Sequence, residues 1–225
     1  MNAPYRGALL LILFAAIASG LSAQEKDFGI WYSVSAEYGI TKKLELDFST
    51  TVRTFDKASK IEEMFLEGGL TYKFNKFVSV TGSYRITENI EDDDSYHLRH
   101  KWFFDVKGFL PVGDFTFTGR FRFQKRYKTF FEDENDKIPV THSRYKLKLD
   151  YDSPSFPVNP YVSAEIFCPM FNDPERFIDK KWFTSGLELK ITKNHSVEAE
   201  YIFIRDFLPR LSDIHLISFN YNLKF

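Results

Sequence analysis

The chain has 225 residues, and 30 Lys and Arg stand against 31 Asp and Glu, giving a formal charge of −1 at pH 7. That near-neutral balance excludes the strongly basic footprint of a nucleic-acid-binding protein. The lone cysteine, Cys168, excludes an internal disulfide and reads as a structural loop residue.

Taken in chain order, residues 1–23 predict a secretory signal. Arg6 supplies a short positive start, Ala8 to Ala18 is apolar, and Ser19, Gly20, Ser22 and Ala23 are small. Cleavage is expected after Ala23, with Gly20 as the runner-up, which leaves residues 24–225 as a single domain. The apolar run is too short to cross a bilayer as a helix, which takes about 20 residues, and nothing later is longer. No cysteine stands near the cleavage site to carry a lipid.

From Phe28 onward the chain alternates. Ile30, Tyr32, Val34, Ala36, Tyr38 and Ile40 share one parity, while Ser33, Ser35 and Glu37 occupy the other. After the turn at Thr41-Lys42-Lys43 the pattern returns with Leu44, Leu46 and Phe48 against Glu45, Asp47 and Ser49. A third segment sets Met64, Leu66, Leu70, Tyr72 and Phe74 on one side, and a fourth does so with Val78, Val80, Tyr84 and Ile86. Segments 96–110, 115–129, 142–151, 160–167, 181–192, 196–206 and 213–225 repeat it. Side chains alternate across a strand, so each segment has one apolar and one polar face. These strands exceed the usual soluble length of about 5–6 residues and match the roughly 9–11 tilted residues that cross a bilayer.

Connections alternate as well. Residues 41–43, 75–76, 111–114 and 193–195 are tight turns; 55–60, 88–95, 130–141, 168–180 and 207–212 are longer and polar. Aromatic residues, 18% of the chain, gather at strand ends, as at Tyr72, Phe74, Tyr84 and Tyr127, which suits the interfaces of a membrane. A lipocalin-like barrel or a β-sandwich would have to turn the ring-bearing face inward, giving an interior too large for this chain. The pattern predicts an all-β fold instead: an antiparallel transmembrane up-and-down β-barrel of roughly 10–12 strands. A mean hydropathy of −0.30 fits such a barrel with a polar interior. Eleven segments conflict with the even strand number of single-chain bacterial barrels. Either residues 24–31 hold a further strand, or one segment is not in the wall, or a parallel pair closes an odd barrel.

With the apolar parity facing lipid, the other parity lines the lumen. Arg85, Arg99, Lys101, Arg120, Arg122, Arg126, Arg144, Lys146 and Lys148 form a basic arc. Glu45, Asp47, Glu63, Glu67, Glu165, Glu188, Glu198 and Glu200 form acidic stretches on either side of it. These charges either line a narrow passive pore or close the lumen by pairing. No enzyme is expected. His97 and His142 have lumen parity, but Ser143 points away from its neighbour His142, so no nucleophile–base pair forms locally. No metal or other cofactor is expected either, since there is one Cys, no closely spaced His pair, and no EF-hand spacing in the acidic loops. Loops 88–95 and 130–141 offer an alternative role in surface binding or adhesion, and a lipid-modifying enzyme is the remaining alternative. Outward His100, Lys125, Arg205 and His215 lie toward the long loops, where cations reach lipid headgroups and lipopolysaccharide phosphates, unless the strands have simply left the hydrocarbon by that height.

Several stretches resemble the bacterial outer-membrane family catalogued as domain of unknown function 2490. They include Leu70-Thr-Tyr-Lys-Phe-Asn-Lys76, Arg120-Phe-Arg-Phe-Gln124, Arg144-Tyr-Lys-Leu-Lys-Leu-Asp-Tyr151 and Pro160-Tyr-Val-Ser-Ala-Glu165. Gly186 to Ser196 and His215 to Phe225 are also similar. The resemblance implies an outer-membrane barrel of Gram-negative bacteria without an established activity. Within it, Phe225 resembles the terminal signal that outer-membrane assembly machinery reads, making that machinery an expected partner.

Overall fold

A computed structural model describes residues 26–91, 95–131, 134–152, 157–170, 177–207 and 212–225, with only the backbone described at 26, 27 and 135. The expected signal, residues 1–23, and the acids Asp92-Asp93-Asp94 and Glu132-Asp133 lie outside the described residues.

Eleven strands are present among the described residues. They are β1 (Lys26–Gly39), β2 (Leu44–Phe55), β3 (Lys60–Lys73), β4 (Val78–Ile90), β5 (Tyr96–Val112) and β6 (Phe115–Lys128), then β7 (Val140–Tyr151), β8 (Val158–Met170), β9 (Lys180–Lys190), β10 (His195–Asp206) and β11 (Ser212–Lys224). Each pairs antiparallel with the next, and a parallel β1–β11 ladder closes the barrel. The odd count is therefore real. Of the three ways to reconcile it, the parallel seam is the one adopted. It runs from Lys26↔Asp213 to Glu37↔Lys224, and the last residue is stitched in by Gly39 N–H to the Phe225 carbonyl (3.0 Å) and Phe225 N–H to the Glu37 carbonyl (2.8 Å).

β5, β7 and β8 outrun their sequence-based limits by two or three residues, while β6 and β9 stop one or two short. Cys168 is a correction: it belongs to β8, opposite Ser143, and is not in a loop. Prolines Pro111, Pro160 and Pro169 all stand inside strands, for one shared reason. Pairing of β5 with β4 stops at Gly108, pairing of β8 with β7 starts at Tyr161, and pairing of β8 with β9 ends at Phe167. Each proline thus lies where its strand has one neighbour, and its missing N–H breaks no second ladder.

The wall is inside-out relative to a soluble fold. Leu66, Leu70, Phe48, Phe117, Leu147 and Phe183 are exposed on the outer surface, whereas Glu45, Thr71, Thr81, Asp105, Arg144 and Glu165 are buried within. An apolar exterior of this extent suits hydrocarbon, and a closed ladder leaves no unpaired sheet edge facing it. No described helix is long and apolar enough to cross a membrane.

Two irregularities mark the long-loop rim. The β2–β3 register shifts between Arg53 and Thr54, and the freed Thr54 hydroxyl accepts from Ile30 N–H (2.8 Å) and bonds the Ile30 carbonyl (3.0 Å). Beside it, a Cβ on Gly29 would sit 2.2 Å from the Thr54 carbonyl oxygen, so only glycine fits. The adjoining turn carries Asp56, Lys57 and Ala58 in succession at φ 50°, 58° and 63°, a left-handed stretch that side chains disfavour.

Candidate functional site in the barrel lumen

Inward parity brings the predicted basic and acidic residues into one interior. Most of the resulting ion pairs join neighbouring strands instead of crossing the bore. Arg122 grips Asp105 with two bonds (Nε to Oδ1 2.6 Å, Nη2 to Oδ2 2.7 Å), and Arg53 meets Glu63 at 2.5 Å. Arg85 holds Glu67 and Arg99 holds Glu91, each at 2.6 Å. Glu165, 4% exposed, accepts from Arg120 Nη2 (2.6 Å) and Arg144 Nε (2.8 Å), while Arg144 Nη1 donates to Gln124 (3.0 Å). Lys73 pairs with Glu45 and Lys148 with Asp150, each at 2.6 Å. Asp47 accepts from the Thr71 hydroxyl (2.6 Å).

Aromatic rings that alternation places in the lumen supply the second half of the pattern. Arg53 lies over Trp31 (3.9 Å), Arg85 over Phe65 (3.6 Å), Arg122 over Phe103 (3.7 Å) and Arg144 over Phe167 (3.9 Å). One Arg–ring stack thus serves each of the strand pairs β1–β2, β3–β4, β5–β6 and β7–β8. A guanidinium that is weakly hydrated and both stacked and hydrogen-bonded tolerates this setting better than a free charge. In the remaining arc, β9 to β11 with β1, the long-loop half is apolar: Trp31, Ile202, Ile204 and Leu216 pack together with Trp182 and Ile214. Trp31 reaches Trp182 (centroids 5.6 Å) over two intervening strands, and Trp182 continues to Phe167 (4.9 Å).

On the same side of the barrel but toward the short turns, Tyr161 OH lies 2.5 Å from Glu200 Oε1 and 3.0 Å from Glu198 Oε2. Asn220 and Asn222 donate to the same two carboxylates. The ring of Tyr161 covers its cross-strand partner Gly186, where any Cβ would meet it at 2.5 Å. Glu188 is register partner of Glu198 and lies 4.0 Å from Lys190. A lumen cavity of about 180 Å³ is lined by Ser35, Ser49, Thr81, Ser83, Lys107 and Arg122 among others, and the short-turn rim holds a recess of about 330 Å³ around Glu188, Lys190 and Lys224.

Glu37, Glu45 and Asp47 converge closely enough to hold a metal ion. Lys73 and Lys224 already neutralise Glu45 and Glu37 there. His142 pairs with Asp179 at 2.5 Å, and Ser143 turns the other way, its hydroxyl 3.5 Å from the Cys168 carbonyl. The lumen rings Trp31, Phe65, Phe103, Phe167 and Trp182 escaped the charge-based reading, although strict alternation along their strands places each of them inside.

Comparison with known proteins completes the picture. The family model described as "Protein of unknown function (DUF2490)" matches residues 28–210. No curated protein matches. Among solved structures, the chain resembles the β-domain of the Bordetella autotransporter BrkA, with a TM-score of 0.53 and 10% identity over 79% of this chain and 82% of that one. It also resembles a bacterial polysaccharide outer-membrane secretin, with a TM-score of 0.50 and 9% identity over 78% and 72%. At these identities the likeness is one of fold.

Proposed function

The chain belongs to the DUF2490 family, and from the barrel it builds we propose an outer-membrane protein with no catalytic role, structural in the main and at most a narrow passive pore. The observation that carries this reading is the set of four Arg–ring stacks joined to carboxylates, completed by the apolar arc of Trp31, Trp182, Ile202 and Leu216. Lumen side chains packed in this way leave little bore for solutes. Water and small ions are the traffic such an interior admits.

The long-loop rim faces the cell exterior in this reading, and the short turns face the periplasm. Outward cations support that orientation. Lys125 and Lys181 belong to the long-loop halves of their strands, where the phosphates of outer-leaflet lipopolysaccharide are the natural counter-charge.

Planar-bilayer recording of refolded protein tests the closed lumen. The wild type is expected to stay silent or pass only small unitary currents, while joint replacement of Trp31 and Trp182 by Ala enlarges them. A large, stable wild-type channel would refute the proposal.

A further inference from the structure

Lumen cations are not all accounted for. Along one register row, Arg85 faces Lys101 and Lys101 faces Arg126, so three like charges are direct cross-strand neighbours on β4, β5 and β6. Like charges in this register repel and need a counter-charge. Arg85 has Glu67. Among the described residues no carboxylate lies within 4 Å of Lys101 or Arg126, and both side chains are half-buried inside the barrel.

Nearby acids are already engaged. Glu91 pairs with Arg99 in the next row, and Asp136 with Lys128 (2.7 Å). Glu63 is the one carboxylate among the strongest electrostatic neighbours of Lys101, the others being Arg53, Arg85 and Arg126, and Arg53 holds it at 2.5 Å. Donors are in excess by a second measure too. Of the buried polar atoms without a hydrogen-bond partner among the described residues, Nε of Arg53, Nε of Arg120 and Nε1 of Trp31 and of Trp182 can only donate. An arginine cannot discharge itself by losing its proton. The need is for an acceptor carrying negative charge.

We propose that the outer half of the lumen binds a small oxyanion from solution, of the phosphate, sulfate or carboxylate class, between Lys101 and Arg126. An ammonium and a guanidinium on adjacent strands form a donor set suited to such a group. The long-loop rim is the nearer end: Arg126 stands two residues from the end of β6 and Lys101 five from the start of β5. The site does not require the lumen to conduct, so it stands or falls separately from the closed-lumen reading.

Isothermal titration of the refolded full barrel in detergent with inorganic phosphate, at constant ionic strength, tests it. Saturable one-to-one binding is expected, weakened at least about tenfold by Lys101→Gln with Arg126→Gln, as befits the loss of charge-assisted bonds. Lys101→Arg should retain binding, and Lys137→Gln, at an exposed lysine in the 3-10 turn Glu134–Lys137, should leave it unchanged. Should the double variant fail to fold, Lys101→Gln alone serves, read by whether folded, heat-modifiable protein still binds. Absence of saturable wild-type binding, equal binding by the lumen variants, or loss on Lys137→Gln would each overturn the site. Silence in the bilayer alongside phosphate binding would support both readings, whereas large currents with intact binding would remove only the closed lumen.

Discussion

Replacing Glu165 with Leu gives the sharpest test of the lumen network. Its carboxylate is 4% exposed and takes hydrogen bonds from Arg120 and Arg144 on two different strands. Removing one partner of a buried ion pair costs about 3–5 kcal/mol, because the charge left behind stays desolvated. Here two guanidinium groups are stranded together, so the upper part of that range, about 4–5 kcal/mol, is expected. The stacking of Arg144 on Phe167 keeps it from turning to water. Urea unfolding from lipid vesicles, followed by the fluorescence of the protein's three tryptophans, measures the loss. Adding Arg120→Met and Arg144→Met should recover most of it, since an apolar replacement of a buried ionic group is often near neutral. A loss under about 1 kcal/mol for Glu165→Leu alone would refute the account of the lumen as a set of mutually dependent charges.

Other perturbations separate the remaining features. Gly186→Ala pushes the Tyr161 ring off Glu198 and Glu200 and should cost about 1–3 kcal/mol by the same unfolding assay. Ala58→Gly relieves a left-handed residue and should stabilise the barrel by about 1 kcal/mol; a neutral result would mean the turn is not strained. Arg205→Ala breaks a bidentate pair with Asp213 at an exposed site, and its cost should stay below about 1 kcal/mol despite good geometry. In a Cys168→Ser background, Ser59→Cys should react with a membrane-impermeant maleimide on intact cells and Thr192→Cys should not. The reverse pattern would invert the orientation.

Alternation carried most of the fold. In β2, Leu44, Leu46 and Phe48 face out while Glu45, Asp47 and Ser49 face in, and the period of two cannot be satisfied otherwise once one face meets hydrocarbon. The seam was not legible, because pairing between β1 and β11 depends on closure across the whole chain and no local turn announces it. The far end of β8 was hidden for a related reason: Pro169 reads as a strand breaker unless it is known that one flank lacks a neighbour. In the lumen, charge type was visible but pairing was not. Arg122 with Asp105 and Arg53 with Glu63 are cross-strand partners whose register only the folded sheet sets. Trp31 and Ile202 sat in plain view on the inward parity, yet apolar residues there run against the polar expectation for a lumen.

Because β1 and β11 run the same way, the polypeptide enters the wall at one rim and leaves it at the other. Residue 26 stands beside the long loops, while Phe225 lies with the short turns. In the proposed orientation, a peptide fused ahead of β1 would be displayed outside the cell, and one fused after Phe225 would hang into the periplasm. Joining the two ends in a circular permutant would take a connector as long as the seam itself, about 40 Å for its 12 paired residues, threaded through an interior already crowded with arginines and rings.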